Sequence, residues 1–292
     1  MKILILGGGQ DGIIFSYLIA KKYNLDGLLI VRQKIKEFNY YLPVKEIGSF
    51  VENKNYIQLE NIIEKFKPTH IINTVALSST RQCNQLKELA MNINANFVKK
   101  LANFVKNKDL KLIHLGSILE KEYRPNCYYT KSKIMASKYI EESNNSNAFI
   151  LRLPNHESPL RDKRFFIREI INLYQNNLEN KQKLTINILD GKTKRDWSWA
   201  PYLMQKILEM IIKDSYIDNF NELTFNLSLI EFSMCIAKIF NLKEVIVICK
   251  KSGTYYSKNF IAPKVPESML RWIKKMILVK NNEIYNLEKW CN

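Results

Sequence analysis

The chain has 292 residues, 46% of them hydrophobic, and a formal net charge of +17 at pH 7. That length holds one large domain or two interleaved lobes, and no run of 18 or more apolar residues offers a membrane-spanning helix. The five cysteines are scattered, without metal-ligand spacing, and no basic segment followed by an apolar core opens the chain, so a reduced, cytoplasmic protein without structural zinc is expected.

The positive charge would suit a polyanion such as nucleic acid or anionic lipid. The lysines are instead spread along the whole chain, with no block of like charges. The surplus therefore reads as composition rather than as a nucleic-acid face. In either case it favours capture of a phosphorylated small molecule.

In chain order, residues 2–6 are a short apolar strand. Gly7-Gly8-Gly9-Gln10-Asp11-Gly12 follows, and residues 13–22 read as a helix. This is G-x-G-x-x-G between strand and helix, the context a dinucleotide fingerprint requires. Gly7 permits the tight turn, Gly9 lets backbone approach a pyrophosphate, and Gly12 lets helix pack on strand. The phosphates would sit on the helix N-terminus. Residues 28–31 form a second strand. It ends in Val31-Arg32-Gln33-Lys34, where an acidic residue would select NAD and an arginine accommodates a 2′-phosphate. NADP is therefore expected, with NAD the alternative.

Residues 59–66 read as an amphipathic helix and 70–75 as a strand. At the strand's carboxyl end Ala76 and Ser78 would border the nicotinamide ribose. A long helix is expected over 85–106, a buried strand over 111–115 and a further strand over 148–153. Strand–helix alternation up to Leu153 predicts an α/β fold with a doubly wound parallel sheet.

Between the last two strands lies the most informative stretch. Ser117 stands at a strand's carboxyl end, and a helix then carries Tyr129 and Lys133. Positions i and i+4 share a helix face. A cation beside a phenol favours the phenolate, so Tyr129 could pass a proton near neutral pH. The same spacing recurs at Tyr17/Lys21, Tyr41/Lys45, Tyr202/Lys206 and Tyr285/Lys289. Tyr129 alone follows a hydrophobic strand, a terminal serine and a loop, and alone reads Tyr-x-x-Ser-Lys.

That set resembles the catalytic Ser–Tyr–Lys of the short-chain dehydrogenases/reductases. With Asn155-His156-Glu157-Ser158-Pro159, Arg161 and Lys194-Arg195-Asp196-Trp197, the chain is similar to the extended branch, the NAD(P)-dependent epimerase/dehydratase family. Within it, Gly9-Gln10-Asp11-Gly12, Ile30-Val31-Arg32 and these later runs resemble the GDP-mannose 4,6-dehydratases. The resemblance runs with gaps from Lys2 to about Met210.

It implies a Rossmann domain over residues 1–154 and a smaller C-terminal α/β substrate-binding lobe, mainly 155–292. It implies Ser117, Tyr129 and Lys133 as catalytic. Cofactor contacts would come from Gly7, Gly9, Gln10, Asp11, Gly12, Arg32, Ala76, Ser78, Tyr129 and Lys133. Asn155, Arg161 and Arg195 would bind a nucleoside-diphosphate sugar, and no metal is needed. Pairing through helices 85–106 and 128–142 would give a homodimer.

Three departures bear on the reaction. The glycine turn is one residue shorter than the family's, and Ser117 and Tyr129 are unusually close in sequence. The dehydratases' C5 base stands two residues after the catalytic threonine; here that place holds Leu119, and Glu120 follows one position late. Glu120 is a candidate base if the loop compensates. Dehydration, 4-keto reduction and epimerisation all stay open, as does a dinucleotide-binding sensor or scaffold without turnover.

Overall fold

The computed structural model describes residues 1–36, 38–121, 126–163, 165–177, 184–188, 191–240, 245–249, 254–256, 264–279 and 283–291. The chain divides into two compact units, Met1–Leu153 with Met204–Phe220, and Pro154–Leu203 with Asn221–Asn292.

The first unit is a six-stranded sheet. Its strands are β1 (Lys2–Leu6), β2 (Asp26–Val31), β3 (Val44–Glu46), β4 (His70–Asn73), β5 (Lys111–Ser117) and β6 (Ala148–Leu153). Their order is β3-β2-β1-β4-β5-β6 and every pairing is parallel. This is the expected doubly wound sheet.

Ile3, Leu4, Ile5 and Leu6 are all fully buried, as a central strand covered on both faces must be. Leu4 and Leu6 point to one face. They join Ile30, Ile71 and Leu112 there under Leu59 and Ile63 of α2 (Asn53–Phe66) and Phe97, Val98 and Leu101 of α5 (Phe97–Val105). Each such side chain contributes about 1.5–3 kcal/mol on burial.

Three local differences from expectation have physical reasons. β3 was not expected; its three residues are one half-buried valine, Val44, and the exposed charged pair Lys45 and Glu46, too short a run to carry a periodicity. β4 stops at Asn73 because the Asn73 Oδ1 accepts the Val75 N–H at 3.1 Å, turning the chain out of the sheet. The single helix expected over 85–106 is broken. Leu86 leaves helical geometry between α3 (Thr80–Gln85) and α4 (Lys87–Met91), and a π-helical turn at Asn92–Asn96 precedes α5.

The return segment Met204–Phe220 adds contacts at the sheet. Tyr216 stacks on Phe149 of β6, ring centroids 4.0 Å apart at 22°. Asp214 pairs with Lys111. Asp218 accepts the Arg152 backbone N–H at 2.5 Å and pairs with its guanidinium at 3.1 Å.

The second unit holds two three-stranded sheets. One is β7 (Asn155–Glu157), β9 (Lys194–Trp199) and β10 (Phe225–Ser228), ordered β10-β9-β7. The other is β8 (Leu184–Ile188), β11 (Val245–Cys249) and β12 (Thr254–Tyr256), ordered β12-β11-β8. Its core stacks Trp199 on Trp272, with Trp290 edge-on and Phe232 beside Trp272. The helix Leu229–Ile239 begins with a reciprocal capping box between Ser228 and Glu231.

Candidate active site

The glycine turn runs straight from β1 into α1 (Gln10–Tyr17). Gly7 has φ +107°, and a Cβ there would lie 2.5 Å from Thr74 Oγ1. A Cβ on Gly12 would lie 1.8 Å from the Gly7 carbonyl oxygen. Both positions therefore require glycine for the protein's own packing.

Gly9 differs. A Cβ there meets nothing within 4 Å, and Gly9 is the N-cap of α1 with no side chain of its own to cap it. The space beside the helix N-terminus is left open, as a bound pyrophosphate needs. Gln10 Nε2 donates to Asp11 Oδ1 at 3.1 Å. Val31 packs against Gly8, so the end of β2 lies beside the turn, and the exposed Arg32 follows it. These residues fit a dinucleotide; the donors are backbone N–H groups and a cation, a set suited to phosphates.

At the next strand end Ala76 is half-buried and Ser78 exposed. The loop between them is held by Asn94, a residue that sequence reasoning passed over. Asn94 is fully buried. Its Oδ1 accepts the Leu77 N–H at 2.7 Å, and its Nδ2 donates to the Leu77 carbonyl at 3.1 Å and to Ser132 Oγ at 3.0 Å. The signal was present: Asn94 lies on the stripe otherwise made by Phe97, Val98, Leu101 and Val105.

Tyr129 and Lys133 lie in α6 (Tyr128–Glu142), one turn apart. Ser132 Oγ donates to the Tyr129 carbonyl at 2.8 Å, so Asn94 and Ser132 link the β4 loop to the start of α6. Tyr129 is half-buried. Lys133 is 3% exposed, and its Nζ donates to the Leu115 carbonyl of β5 at 2.7 Å. Burial lowers its pKa to about 8, against the opposing charges of Glu120 and Asp11. Asp11 of the glycine turn thus acts electrostatically on the helix that carries Tyr129.

Beneath them, buried His114 accepts at Nδ1 from Asn73 Nδ2 at 3.2 Å, the Asn73 oxygen being engaged by Val75. Burial, reinforced by Lys133, holds His114 far below the ordinary histidine range, so it is neutral.

Ser117, at the end of β5, is 6% exposed, and its Oγ accepts the Leu119 N–H at 3.3 Å. Glu120 lies in the single 3-10 turn Ile118–Lys121 that follows. One of its oxygens accepts the Ser117 N–H at 2.6 Å, and the other accepts from Ser137 Oγ and Arg152 Nε.

In the second unit Asn155 of β7 pairs in register with Trp197 of β9, and its Nδ2 donates to the Asp196 carbonyl at 3.2 Å. Arg195, two residues from Trp197, points to the same face of β9 as Trp197. Asp196 accepts from Asn226. The Arg161 guanidinium lies over the Phe165 ring at 3.7 Å, with its Nε 3.8 Å from Glu157. Among the described residues no group of three or more His, Cys, Asp or Glu side chains is placed to hold a metal ion, and no helix is long and apolar enough to cross a membrane.

Solved structures share this architecture. The L-threonine dehydrogenase of Clostridium difficile superposes with TM-score 0.72 at 18% identity, covering 95% of this chain and 98% of that one. The UDP-glucose 4-epimerase of Thermotoga maritima, solved with UDP-glucose, gives 0.72 at 15%, covering 95% and 97%. A dTDP-4-dehydrorhamnose reductase of Clostridium acetobutylicum gives 0.67 at 16%, covering 95% and 97%. At such identities the likeness is one of fold. No curated protein sequence matches significantly. The family is fixed by the sequence itself: residues 3–215, which take in the glycine turn, Ser117, Tyr129 and Lys133, match the NAD dependent epimerase/dehydratase family, and the chain belongs to it.

Proposed function

We propose that this chain is an NAD(P)-dependent enzyme that transfers hydride at C4 of a nucleoside-diphosphate sugar. The observation that carries this is the convergence of Ser117, at the end of β5, with Lys133 tied to the same strand through Leu115, on the helix that presents Tyr129. The first unit would bind the dinucleotide and the second the sugar nucleotide. Gly7, Gly9, Gln10, Asp11 and Gly12 would hold the phosphates, with Ala76, Ser78, Tyr129 and Lys133 near the nicotinamide ribose. Arg32 supports NADP over NAD.

The bound nicotinamide supplies the hydride acceptor or donor. Tyr129 exchanges a proton with the sugar hydroxyl or ketone oxygen, and Ser117 holds that oxygen by hydrogen bond. Lys133 orients the ribose and favours the tyrosinate by its charge. Asn155, Arg161 and Arg195 hold the diphosphate, the arginines as forked donors. The GDP-mannose 4,6-dehydratase-like runs around Asn155 and Arg195 support a sugar nucleotide and leave dehydration, reduction and epimerisation as its reactions. A cytoplasmic homodimer completes the reading.

The test is incubation of the purified protein with NADP⁺ or NAD⁺ and UDP-glucose, UDP-N-acetylglucosamine or GDP-mannose, and with NADPH and a 4-keto sugar nucleotide. Absorbance at the nicotinamide band and NMR of the sugar report turnover. Conversion of one of these sugars is expected. Tight cofactor binding with no conversion of any of them would leave a non-catalytic dinucleotide-binding protein in its place.

A further inference from the structure

Ser117 is fixed through one carboxylate. Its N–H donates to Glu120 Oε1 at 2.6 Å. Glu120 Oε2 accepts from Ser137 Oγ at 2.5 Å and from Arg152 Nε at 3.1 Å. Ser137 lies on α6, one turn after Lys133. Arg152 lies on β6, directly beside Gly116 in the sheet register. Glu120 thus ties the end of β5 both to the neighbouring strand and to the helix bearing Tyr129 and Lys133.

The surroundings hold Glu120 in turn. Its side chain is 5% exposed. Arg152 is anchored at its other nitrogens by Glu141 at 2.7 Å and Asp218 at 3.1 Å. A Cβ on Gly116 would come within 2.7 Å of Glu120 Oε1, so a small residue there leaves room for the carboxylate. To take a proton from a substrate, Glu120 would have to turn out of a buried position in which both of its oxygens already accept hydrogen bonds, one of them from the Arg152 guanidinium. The same turn brings Leu119, not an acid, to the position two after Ser117.

We propose that Glu120 is a positioning residue: it fixes Ser117 against α6, so setting the serine hydroxyl relative to Tyr129 and Lys133, and does not act as a base toward C5. This rests on the reading of Ser117, Tyr129 and Lys133 as the hydride-transfer set. It points to oxidoreduction at C4, with reduction or epimerisation as the outcome, without 4,6-dehydration through Glu120.

The experiment has a part without turnover and a part with it. In the full-length protein the Ser117 amide proton is expected well downfield and protected from exchange, and Glu120→Ala should move it upfield and expose it. An amide unmoved by Glu120→Ala overturns the proposal whether or not any sugar reacts. Melting temperature and cofactor affinity identify variants that fail to fold, and Glu120→Gln, which keeps an acceptor for the Ser117 N–H, serves if Glu120→Ala does.

Kinetics use the reactive sugar of the panel above. Glu120→Ala is expected to lower kcat by roughly tenfold to a hundredfold with little change in KM, the scale of a small misplacement of a reacting group. Glu120→Gln should recover part of that loss. In a Ser117→Ala background Glu120→Ala should cost nothing further, because residues acting as one unit are not additive. An undiminished independent loss there overturns the proposal. So does a Glu120→Gln protein that still transfers hydride at C4 but has lost C5 exchange in deuterated water. Full activity of Ser117→Ala instead sinks the proposed function, and the amide signal then still decides the role of Glu120.

Discussion

Lys133 carries an ammonium into a site with almost no contact with water, and its pKa of about 8 is the consequence of that burial. Relative to the ordinary lysine value of 10.5, the difference amounts to roughly 3 kcal/mol of unfavourable burial. The sign is definite. Between pH 8 and 10.5 the unfolded chain holds a proton that the folded chain has released, so stability rises with pH across that window, and the gain is lost as pH falls through 8. Lys133→Met should therefore raise the melting temperature at pH 6.5 and give little gain at pH 10, while abolishing turnover; thermal melts at the two pH values check it. On the proposed function, that cost in stability accompanies the role of Lys133 beside Tyr129.

Its partner is tested by removing one oxygen. Tyr129→Phe should leave the melting temperature and cofactor affinity intact and lower kcat by about a hundredfold to ten-thousandfold, the range of general acid–base catalysis. At the cofactor's other end, NADP(H) should bind more tightly than NAD(H), with Arg32→Asp reversing the order in calorimetric titration. Equal or stronger NAD(H) binding to the unaltered protein refutes that assignment.

The glycine turn separates two reasons for glycine within one element. Gly12→Ala places a methyl against the Gly7 carbonyl; it should destabilise the fold by several kcal/mol or prevent it, since backbone has nowhere to yield. Gly9→Ala meets no protein atom and has φ −78°, open to any residue. It should fold with an unchanged melting temperature and still bind cofactor at least tenfold more weakly, measured by fluorescence titration.

This element was legible from sequence because its demands are local: strand, turn and helix follow within a dozen residues. The parallel sheet was legible for the same reason, through short apolar runs between helices. Glu120 was only half legible. Its spacing raised the question of a base, but its partners Ser137 and Arg152 stand 17 and 32 residues away, and only the pairing of β5 with β6 and α6 brings them together. Asn94 was legible as a polar residue on an apolar stripe. What it binds, the backbone at Leu77, depends on the π-helical turn, which no periodicity announces.

At the scale of the whole molecule the chain leaves the first unit at Leu153 and comes back to it at Met204. The returning segment contributes Glu209 to Tyr23 at 3.0 Å, Gln205 to Lys22 at 2.7 Å, and Tyr216 to the face of Phe149. Tyr216→Ala should cost about 2 kcal/mol, an aromatic pair plus partial burial. By hydrogen exchange the loss should appear at the β5 and β6 amides; protection there unchanged would mean the segment adds nothing to the sheet.

β6 is the last strand of its sheet, and Asp218 takes the backbone N–H of Arg152 upon it. A ribosome makes that edge long before it makes the aspartate that blunts it. While residues 154–203 are being synthesised, a nascent first unit presents β6 with Phe149 bare and a backbone donor open, the kind of surface on which unfinished chains stick to one another. Chaperone demand during synthesis should be concentrated in that interval and should fall once residue 220 has emerged.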